Sequence, residues 1–382
     1  MPHSGLLEPR YDAAGLAGVL PGVAASLGVE ALAEADAVPM RPARRAVVVL
    51  VDGLGYELVR RRGGHAPFLR SLLPAAYRIS AGFPSTTATS MGTFGTGLPP
   101  GSHGLLGYEV LVPGEDRLLN ELSWEHGPDP LAWQSQRTVF ELAVADGVAV
   151  TSIGPGFFDG SGLTRAALRG GRFRAAAALP ARVDAALLAL RSDRRSLVYL
   201  YWGDLDKVGH VHGCQSWEWG DELEGIDAEL ARLVRSVPSD TAVYITADHG
   251  MVDAPHALRI DLAYDDELSA GVRHVGGEPR SLQLYCEHGA VDDVLETWRE
   301  RVGERAWIRT RDEAVKEGWF GPVSDDNLPR VGDIVVAMRD NFAIVDSRRA
   351  RPQLLALLGL HGSLTPDEAA VPLFHIPARD SA

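Results

Sequence analysis

The chain has 382 residues, of which 46% are hydrophobic and 23% charged, a composition typical of a globular protein with one large or two ordinary domains. Its formal net charge of -14, from 37 basic and 51 acidic residues, argues against a protein that coats nucleic acid, because that role requires a basic face. The longest apolar runs, such as residues 46–51, are too short to span a bilayer, so we expect no membrane-spanning helix.

The N-terminal segment and the cysteines bear on where the protein works. Residues 13–29 are apolar, but no clear basic stretch precedes them and Pro21 interrupts them. They therefore predict a packed helix rather than a secretion signal. The chain has two cysteines, Cys214 and Cys286, which argues against a disulfide scaffold and fits a reducing compartment. We expect a cytoplasmic protein.

Four apolar runs rich in β-branched and aromatic residues end in turns that contain glycine or aspartate. They are Arg45–Val51, 148–153, Ser196–Trp202 and Thr241–Thr246, with helical patterns at 181–190 and 217–237 between them. This alternation predicts an α/β fold whose mainly parallel sheet is buried on both faces. Such sheets bind ligands beyond the carboxyl ends of their strands. At those ends stand Asp52, Asp204, Asp206, Asp248 and His249.

Residues 83–97, Phe-Pro-Ser-Thr-Thr-Ala-Thr-Ser-Met-Gly-Thr-Phe-Gly-Thr-Gly, place hydroxyl groups in the first turn of a predicted helix. Serine and threonine cap helix N-termini, and the free amides and dipole there attract anions such as phosphate. A hydroxyl in this turn is a candidate nucleophile if metal ions lower its pKa. From this stretch alone, a capped helix with packed threonines is the simpler interpretation.

Two regions depart from the alternating pattern. Residues 105–137 contain several glycines and prolines, and they predict a long irregular loop of the kind that often carries function. Residues 255–330 contain a predicted strand at 282–286, a helix at 291–302 and a strand at 306–310, which indicates a small α+β subdomain covering the site. We expect the core sheet to resume with strands at 333–338, 342–345 and 371–376.

Acidic residues and histidines at the strand ends form a candidate metal site. They are Asp52, the Asp206 and His210 pair four residues apart, the adjacent Asp248 and His249, and His361. Carboxylate with imidazole suits zinc, and also manganese or iron. Each pair alone is a weak signal, since an aspartate after a strand is usually a turn former or a helix cap. Their joint occurrence predicts a site for two divalent ions.

These motifs, in this order, are similar to those of the alkaline phosphatase superfamily, above all its nucleotide pyrophosphatase/phosphodiesterase branch. The resemblance runs through Val47-Val48-Val49-Leu50-Val51-Asp52-Gly53-Leu54, Phe83-Pro84-Ser85-Thr86-Thr87, the Gly-Thr-Gly-Leu-Pro-Pro-Gly-Ser-His-Gly of 95–104, Asp206-Lys207-Val208-Gly209-His210, Ala247-Asp248-His249-Gly250-Met251 and His361-Gly362. It implies a three-layer α/β/α fold with a mainly parallel central sheet and a single catalytic domain over residues 1–382. A cap subdomain at 255–330 is the part that matches weakly.

The resemblance also implies a ligand set for each ion. One zinc ion would be held by Asp206, His210 and His361, and the other by Asp52, Asp248 and His249. Asp204 competes with Asp206, but only Asp206 has the Asp-x-x-Gly-His spacing.

The same resemblance implies residues that act on the substrate. The nucleophile would be Thr87, which also contacts the second ion and forms a phosphothreonine intermediate; the adjacent Thr86 is the alternative register. Where the branch has an asparagine that contacts a phosphoryl oxygen, this chain has Tyr108, either a substitute donor or a packing residue. Trp124 and Trp133 are candidates for stacking on a nucleobase, or else plain packing residues.

Together these expectations predict a metal-dependent hydrolase of phosphate esters, best interpreted as a phosphodiesterase or nucleotide pyrophosphatase acting on a small-molecule ester or nucleotide. The alternatives are a phosphomonoesterase or phosphonate hydrolase of the same superfamily, and a non-catalytic, metal-stabilised binding protein. A site for monoesters usually adds a fixed cation. Lys207 should point away from the site, so we expect diesters to be preferred; Arg273 or Arg280 would supply the cation otherwise. The oligomeric state stays open.

Overall fold

The computed structural model describes residues 5–35 and 37–380. In chain order its strands are β1 (Arg45–Val51), β2 (Tyr77–Ser80), β3 (Glu109–Leu111), β4 (Leu118–Asn120), β5 (Ala149–Gly154), β6 (Arg172–Ala175), β7 (Ser196–Trp202), β8 (Thr241–Thr246), β9 (Val252–Asp253), β10 (Arg259–Asp261), β11 (Val272–Glu278), β12 (Ser281–Cys286), β13 (Ala306–Thr310), β14 (Ile334–Met338), β15 (Ala343–Val345), β16 (Gly359–Leu360) and β17 (Ala370–Ile376).

The α-helices in these residues are α1 (Val19–Ser26), α2 (Tyr56–Arg62), α3 (Pro67–Leu72), α4 (Thr87–Thr96), α5 (Pro100–His103), α6 (Pro130–Trp133), α7 (Val139–Ala145), α8 (Gly162–Ala167), α9 (Leu179–Ser192), α10 (Asp204–His212), α11 (Trp217–Ser236), α12 (Asp266–Ser269), α13 (Val291–Val302), α14 (Arg311–Lys316), α15 (Pro352–Leu355) and α16 (Pro366–Ala369). Within the described residues, no helix combines the length and the apolar character needed to cross a membrane.

The central sheet has seven strands in the order β2-β17-β8-β1-β7-β5-β6. β8, β1, β7, β5 and β6 are parallel, and β17 pairs antiparallel with both β8 and β2 at one side. All residues of β8, and all but the first of β1, are buried. Because successive side chains of a strand point to opposite faces, both faces of this sheet are covered. The predicted α/β fold with a mainly parallel sheet is confirmed.

The helices against the sheet agree well with the periodic patterns. The pattern at 181–190 is α9, which packs on β1, β5 and β7, and the pattern at 217–237 is α11, which packs on α9. α11 begins after Ser216, whose hydroxyl accepts from the amide of Trp219, and buries one face through Leu223, Ile226 and Leu230. The predicted helix at 13–29 is shorter, because α1 spans Val19–Ser26.

A second sheet of four antiparallel strands has the order β11-β12-β14-β13. Its core is a separate hydrophobic cluster that includes Leu284, Trp298 of α13 and Val336. The prediction that 333–338 and 342–345 continue the central sheet is wrong, because β14 belongs to this second sheet and β15 pairs with β10. An apolar run indicates that a strand is buried, but which strand it pairs with depends on distant parts of the chain. The second sheet therefore extends past the predicted boundary at residue 330.

Residues 105–137 are more regular than the sequence predicts. β3 and β4 form an antiparallel pair and α6 follows them. The fully buried Glu121 accepts from the amides of Leu106 and Gly107, at 2.8 and 3.1 Å, and from the indole of Trp133, at 2.7 Å. Burial raises the pKa of Glu121 to about 7. One buried acid thus organises a segment whose glycines and prolines indicated an irregular loop.

Candidate metal centre

The predicted ligands come together at one edge of the central sheet. β7, β1 and β8 are parallel neighbours, so the residues that follow them meet at their common carboxyl end. β16 pairs with β9, which begins just after the β8 turn. The side chains brought together in this way are Asp52 after β1, Asp206 and His210 on α10 after β7, Asp248 and His249 after β8, and His361 after β16.

His249 is the centre of one group of donors. Its Nε2 atom lies 3.3 Å from Oδ1 of Asp52, 3.4 Å from Oδ2 of Asp248 and 3.2 Å from Oγ1 of Thr87. The imidazole is fully buried. Two carboxylates, an imidazole and a hydroxyl therefore converge within a few ångströms, a donor set that suits a divalent ion such as zinc.

Asp206 is the centre of the second group. Its Oδ2 atom lies 3.2 Å from Nε2 of His210, one helical turn away, and its Oδ1 atom lies 3.9 Å from Nε2 of His361. The rings of His361 and His249 stack with centroids 3.7 Å apart, so the two groups adjoin. Donor atoms of Asp206, His249 and His361 all lie within 4.8 Å of one another, as do those of Asp52, Asp248 and His249. His249 thus faces both groups, a geometry the ligand assignment from sequence did not contain.

Unsatisfied carboxylate oxygens show that these residues fit a cation. Oδ1 of Asp52, Oδ1 of Asp206 and Oδ2 of Asp248 are buried and have no hydrogen-bond partner among the described residues. A buried ionised oxygen without a partner is costly. In the described chain, every ion pair of these three acids is with a histidine rather than with Lys or Arg. Divalent ions would satisfy all three oxygens at once.

The pKa shifts in the cluster follow from crowded negative charge in a buried place. Burial, with Asp248 and Asp206 nearby, raises the pKa of Asp52 well above its usual range. Burial and Asp206 likewise raise the pKa of Asp248 to about 7. Burial lowers the pKa of His210, but Asp206 outweighs it and raises that pKa to about 9. The cluster therefore attracts positive charge, and a metal ion would take the place of bound protons.

Backbone contacts orient the three histidines. Nδ1 of His210 donates to the carbonyl of Gly359 at 2.7 Å, Nδ1 of His249 to that of Gly250 at 2.9 Å, and Nδ1 of His361 to that of Ser85 at 3.1 Å. Because Nδ1 carries the donated proton, each Nε2 is left free to bind a metal.

Further contacts hold the carboxylates of the cluster. Oδ1 of Asp248 accepts from the amides of Gly53 and His249, at 3.2 and 3.0 Å. Gly53 has a φ of +74°, which favours glycine, and a Cβ there would make a tight contact of 3.2 Å with Asp206 Cα. Oδ2 of Asp52 accepts from the hydroxyl of Tyr201, a supporting residue that sequence reasoning missed.

The start of α4 distinguishes the two candidate threonines. Thr86 is the N-cap residue and is only 2% exposed, whereas Thr87 is the first residue of the helix and is half-buried. Thr87 directs Oγ1 to His249, as described above. Ser90, one turn later, donates to the carbonyl of Asp248 at 2.8 Å and so ties the helix to the metal loop. The geometry places Thr87, rather than Thr86, in the cluster.

Asp204 and Lys207 lie outside the cluster. Nζ of Lys207 bonds Oδ1 of Asp204 at 2.6 Å on the exposed side of α10, while Asp206 points inward. Asp204 and Asp206, the two candidate metal ligands of this segment, therefore lie on different sides of the helix. Arg280 is fully buried against Glu368, and Arg273 is an exposed partner of Asp116 at 3.7 Å. Arg280 is therefore not free to supply a cation to the site, and Arg273 is directed to an exposed acid instead.

The two tryptophans predicted to contact the substrate are both nearly buried. Trp124 is 8% exposed and donates to the carbonyl of Pro128 at 2.9 Å. Trp133 is 7% exposed, is bonded to Glu121, and carries the guanidinium of Arg330 at 3.7 Å from its ring centre. Both indoles are therefore largely buried in packing contacts, which favours the packing alternative, and the stacking role stays a prediction.

Tyr108 lies on the loop just before β3 and is partly buried. Burial raises the pKa of its hydroxyl, and a hydrogen bond from the side chain of Asn120 opposes this effect. The contact with a phosphoryl oxygen that Tyr108 would make stays a prediction.

Glu278 is a buried acid beside the site that sequence reasoning missed. Its Oε2 atom lies 3.5 Å from Nδ1 of His361, and its side chain is 10% exposed. Burial raises the pKa of Glu278 to about 8. The residue ends β11 of the second sheet, in the segment where the resemblance is weak, and no local motif marks it.

Comparisons with known proteins agree with this geometry. A sequence model of the family described as type I phosphodiesterase / nucleotide pyrophosphatase matches residues 46–364. A comparison with curated proteins gives no significant match.

Several solved structures have the same fold. Murine ectonucleotide pyrophosphatase / phosphodiesterase 5 has a TM-score of 0.69 and 17% identity, over 88% of this chain and 90% of that one. Its inactive variant in complex with AMP has a TM-score of 0.69 and 16% identity, over 88% and 90%. Phosphonoacetate hydrolase from Sinorhizobium meliloti, in complex with phosphonoformate, has a TM-score of 0.68 and 20% identity, over 88% and 91%. At these identities the likeness shows the fold alone.

Proposed function

Because the chain belongs to the type I phosphodiesterase / nucleotide pyrophosphatase family and is therefore a metal-dependent hydrolase of phosphate esters, we propose that it cleaves small-molecule phosphodiesters or nucleotide phosphoanhydrides with Thr87 as nucleophile. The convergence of Thr87, Asp52 and Asp248 on Nε2 of His249 carries this proposal. Membership of an enzyme family also sets aside the non-catalytic binding protein.

The cofactor we propose is a pair of divalent ions, zinc in the first place and manganese or iron otherwise. One would be held by Asp206, His210 and His361, and the other by Asp52, Asp248, His249 and the Thr87 hydroxyl. When bound, such ions neutralise phosphoryl charge and lower the pKa of a hydroxyl or water. The unsatisfied oxygens of the three aspartates support this assignment.

The chain's own groups position the phosphoryl group for attack. Thr87 opens α4, whose first amides have no side-chain cap and face the end where an anion binds favourably. Oγ1 of Thr87, its proton released to solvent, forms a bond to phosphorus while the bond to the leaving oxygen breaks. Water then attacks the same phosphorus, the bond from phosphorus to Oγ1 breaks, and a proton of that water returns the threonine hydroxyl to its starting state. A phosphorylated Thr87 is the intermediate between the two steps.

Trapping that intermediate tests the proposal directly. Zinc-loaded protein mixed with bis-(p-nitrophenyl) phosphate and quenched in acid should carry a nitrophenylphosphoryl group on the peptide that contains Thr87. Mass spectrometry of the digested protein identifies the modified residue. Turnover with no covalent adduct at any quench time, or an adduct on another residue, would contradict the assignment.

Phe157 is the aromatic residue we propose for contact with the ester arm of the substrate. It follows β5, is 73% exposed, and meets Phe158 edge-on with ring centres 4.8 Å apart. Phe158 packs at 5.4 Å on Tyr201, which bonds the metal-cluster residue Asp52. An exposed aromatic ring thus adjoins the candidate site at the same sheet edge.

Replacing Phe157 by alanine should raise KM for aryl and nucleotide esters about 10-fold and leave kcat largely unchanged, because stacking on an aromatic ring contributes ~1–3 kcal/mol. Steady-state kinetics with bis-(p-nitrophenyl) phosphate measures both constants. Tyr264→Ala is the matched control, because Tyr264 is 88% exposed and lies in the segment after β10. An unchanged KM in Phe157→Ala would remove this residue from the substrate contact.

Phosphodiesters should be hydrolysed with a higher kcat/KM than the matching monoesters. A monoester carries one more negative charge, and a fixed cation usually neutralises it. Arg280 and Arg273 are both engaged with acidic partners. Bis-(p-nitrophenyl) phosphate and p-nitrophenyl phosphate are to be compared on one zinc-loaded preparation, at low and moderate salt. A clear monoester preference at both salt concentrations would show that another cation reaches the site.

A cytoplasmic location is likewise a proposal. Cys214 and Cys286 are both free and buried, which fits a protein that folds without disulfide bonds.

A further inference from the structure

One hairpin of the second sheet reaches the candidate metal centre. β11 and β12 are antiparallel, and Glu278 pairs with Ser281 across a two-residue turn. In the hairpin tip, residues 278–281, Arg280 and Ser281 are buried, Pro279 is half-buried and the side chain of Glu278 is 10% exposed. Gly277 just before it has a φ of +78°, and a Cβ there would lie 2.1 Å from the carbonyl oxygen of Ser281, so this position requires glycine. The close contact at Gly277 thus lets the hairpin tip lie next to the candidate metal centre.

Glu278 touches a ligand histidine and the nucleophile turn together. Its Oε2 atom is 3.5 Å from Nδ1 of His361, and its side chain hydrogen-bonds that of Thr86. It also lies over Gly362, where a Cβ would be 2.8 Å from Oε1. Glycine at position 362 therefore lets the carboxyl group approach. These contacts connect the second sheet to the two segments that flank the candidate site.

The neighbouring Arg280 fixes the hairpin tip in place. Its fully buried guanidinium donates to Oε1 and Oε2 of Glu368, at 3.0 and 2.6 Å. Glu368 in turn accepts from the amide of Ser363 at 3.1 Å, and its carbonyl accepts from the amide of Gly250 at 2.7 Å. The tip is thereby anchored to the loops that carry His361 and His249. Glu278 is held rigidly where it stands.

Packing alone does not account for Glu278. Its Oε1 atom is buried without a hydrogen-bond partner among the described residues. A buried carboxyl oxygen in that state is destabilising, so an apolar side chain would serve a purely structural role better. Metal-binding histidines, in contrast, commonly have a carboxyl group near the ring nitrogen that does not bind the metal, and it orients the ring.

We propose that Glu278 is a positioning residue of the metal centre: its carboxyl group, 3.5 Å from Nδ1, acts beside the Ser85 carbonyl that accepts from the same nitrogen, and the two together hold the imidazole of His361 in its metal-binding orientation. The second sheet then contributes to metal affinity and does more than cover the site. This inference rests on the proposed function, because it presupposes that His361 binds one of two ions.

The test measures zinc binding, and activity second. Glu278→Gln replaces the carboxyl group by an amide at nearly constant volume, and Glu278→Ala removes the whole group. Competition with a chromogenic chelator should show one of the two zinc ions bound about 10- to 100-fold more weakly, the range typical when such a supporting group is removed. The other ion should be unaffected, and excess zinc should restore kcat. Glu287→Gln, an exposed acid just after β12, is the control and should bind both ions normally.

The outcomes separate this inference from the proposed function. If wild-type protein binds two ions and both Glu278 variants bind them equally well, the inference is overturned and the proposed function stands. If wild-type protein binds none of zinc, manganese and iron, both are overturned. The thermal unfolding temperature of each metal-free variant shows whether it is folded, and the Gln variant, which keeps the volume of the side chain, answers the question if the Ala variant unfolds.

Discussion

Replacing Thr87 by alanine should abolish turnover while zinc binding remains largely intact. The hydroxyl is the proposed nucleophile, and removal of a nucleophile typically lowers kcat by roughly three to six orders of magnitude. Six other side chains of the cluster stay in place, so both ions should still bind. The measurement is kcat with bis-(p-nitrophenyl) phosphate, together with the zinc content of the same preparation.

Thr86→Ala is the matched control for that result. Thr86 is 2% exposed and caps α4 without a side-chain bond to the helix, so the variant should cost far less activity. Its contact with Glu278 would account for a modest loss. If Thr86→Ala were inactive and Thr87→Ala active, the nucleophile would be one residue earlier than the structure indicates.

Removal of the divalent ions should lower activity by roughly a thousandfold or more, since metal ions supply several kcal/mol of charge stabilisation in such sites. It should also lower the unfolding temperature, because Asp52, Asp206 and Asp248 then face each other with unsatisfied oxygens. Dialysis against a chelator, followed by titration with zinc, measures both effects. Two equivalents of zinc per chain should restore both the activity and the unfolding temperature.

A pair of acids on one helix provides the control for metal removal. Asp206→Asn should lose one ion and most activity, whereas Asp204→Asn should keep both, because Asp204 is exposed and paired with Lys207. A fully active protein that contains no metal, and whose activity chelators do not change, would refute the two-ion centre.

Much of the fold and of the candidate ligand set was predictable because its signals are local. The run Arg45–Val51 is apolar at every position from Ala46, which indicates a strand covered on both faces whatever its neighbours are. The spacing of Asp206 and His210 places them on one helical face. Residues after parallel strands meet at one edge, so the order of the motifs already implied a common site.

The pairing of strands in the second sheet and the burial of individual side chains depend on the tertiary structure. The sequence pattern of Ile334–Met338 predicts a core strand, but its pairing with β12 depends on a segment 50 to 56 residues earlier in the chain, from Leu284↔Ile334 to Ser281↔Ala337, which no local pattern encodes. The sequence left Trp124 and Trp133 as either stacking or packing residues, and only the tertiary structure shows both largely buried, with Trp133 bonded to the buried Glu121. Glu278 reaches His361 from a different sheet, and in the sequence it is one acid among 51. A ligand that follows its own strand has a local signature, whereas a side chain that approaches the site from elsewhere has none, because its position results from the packing of the whole chain.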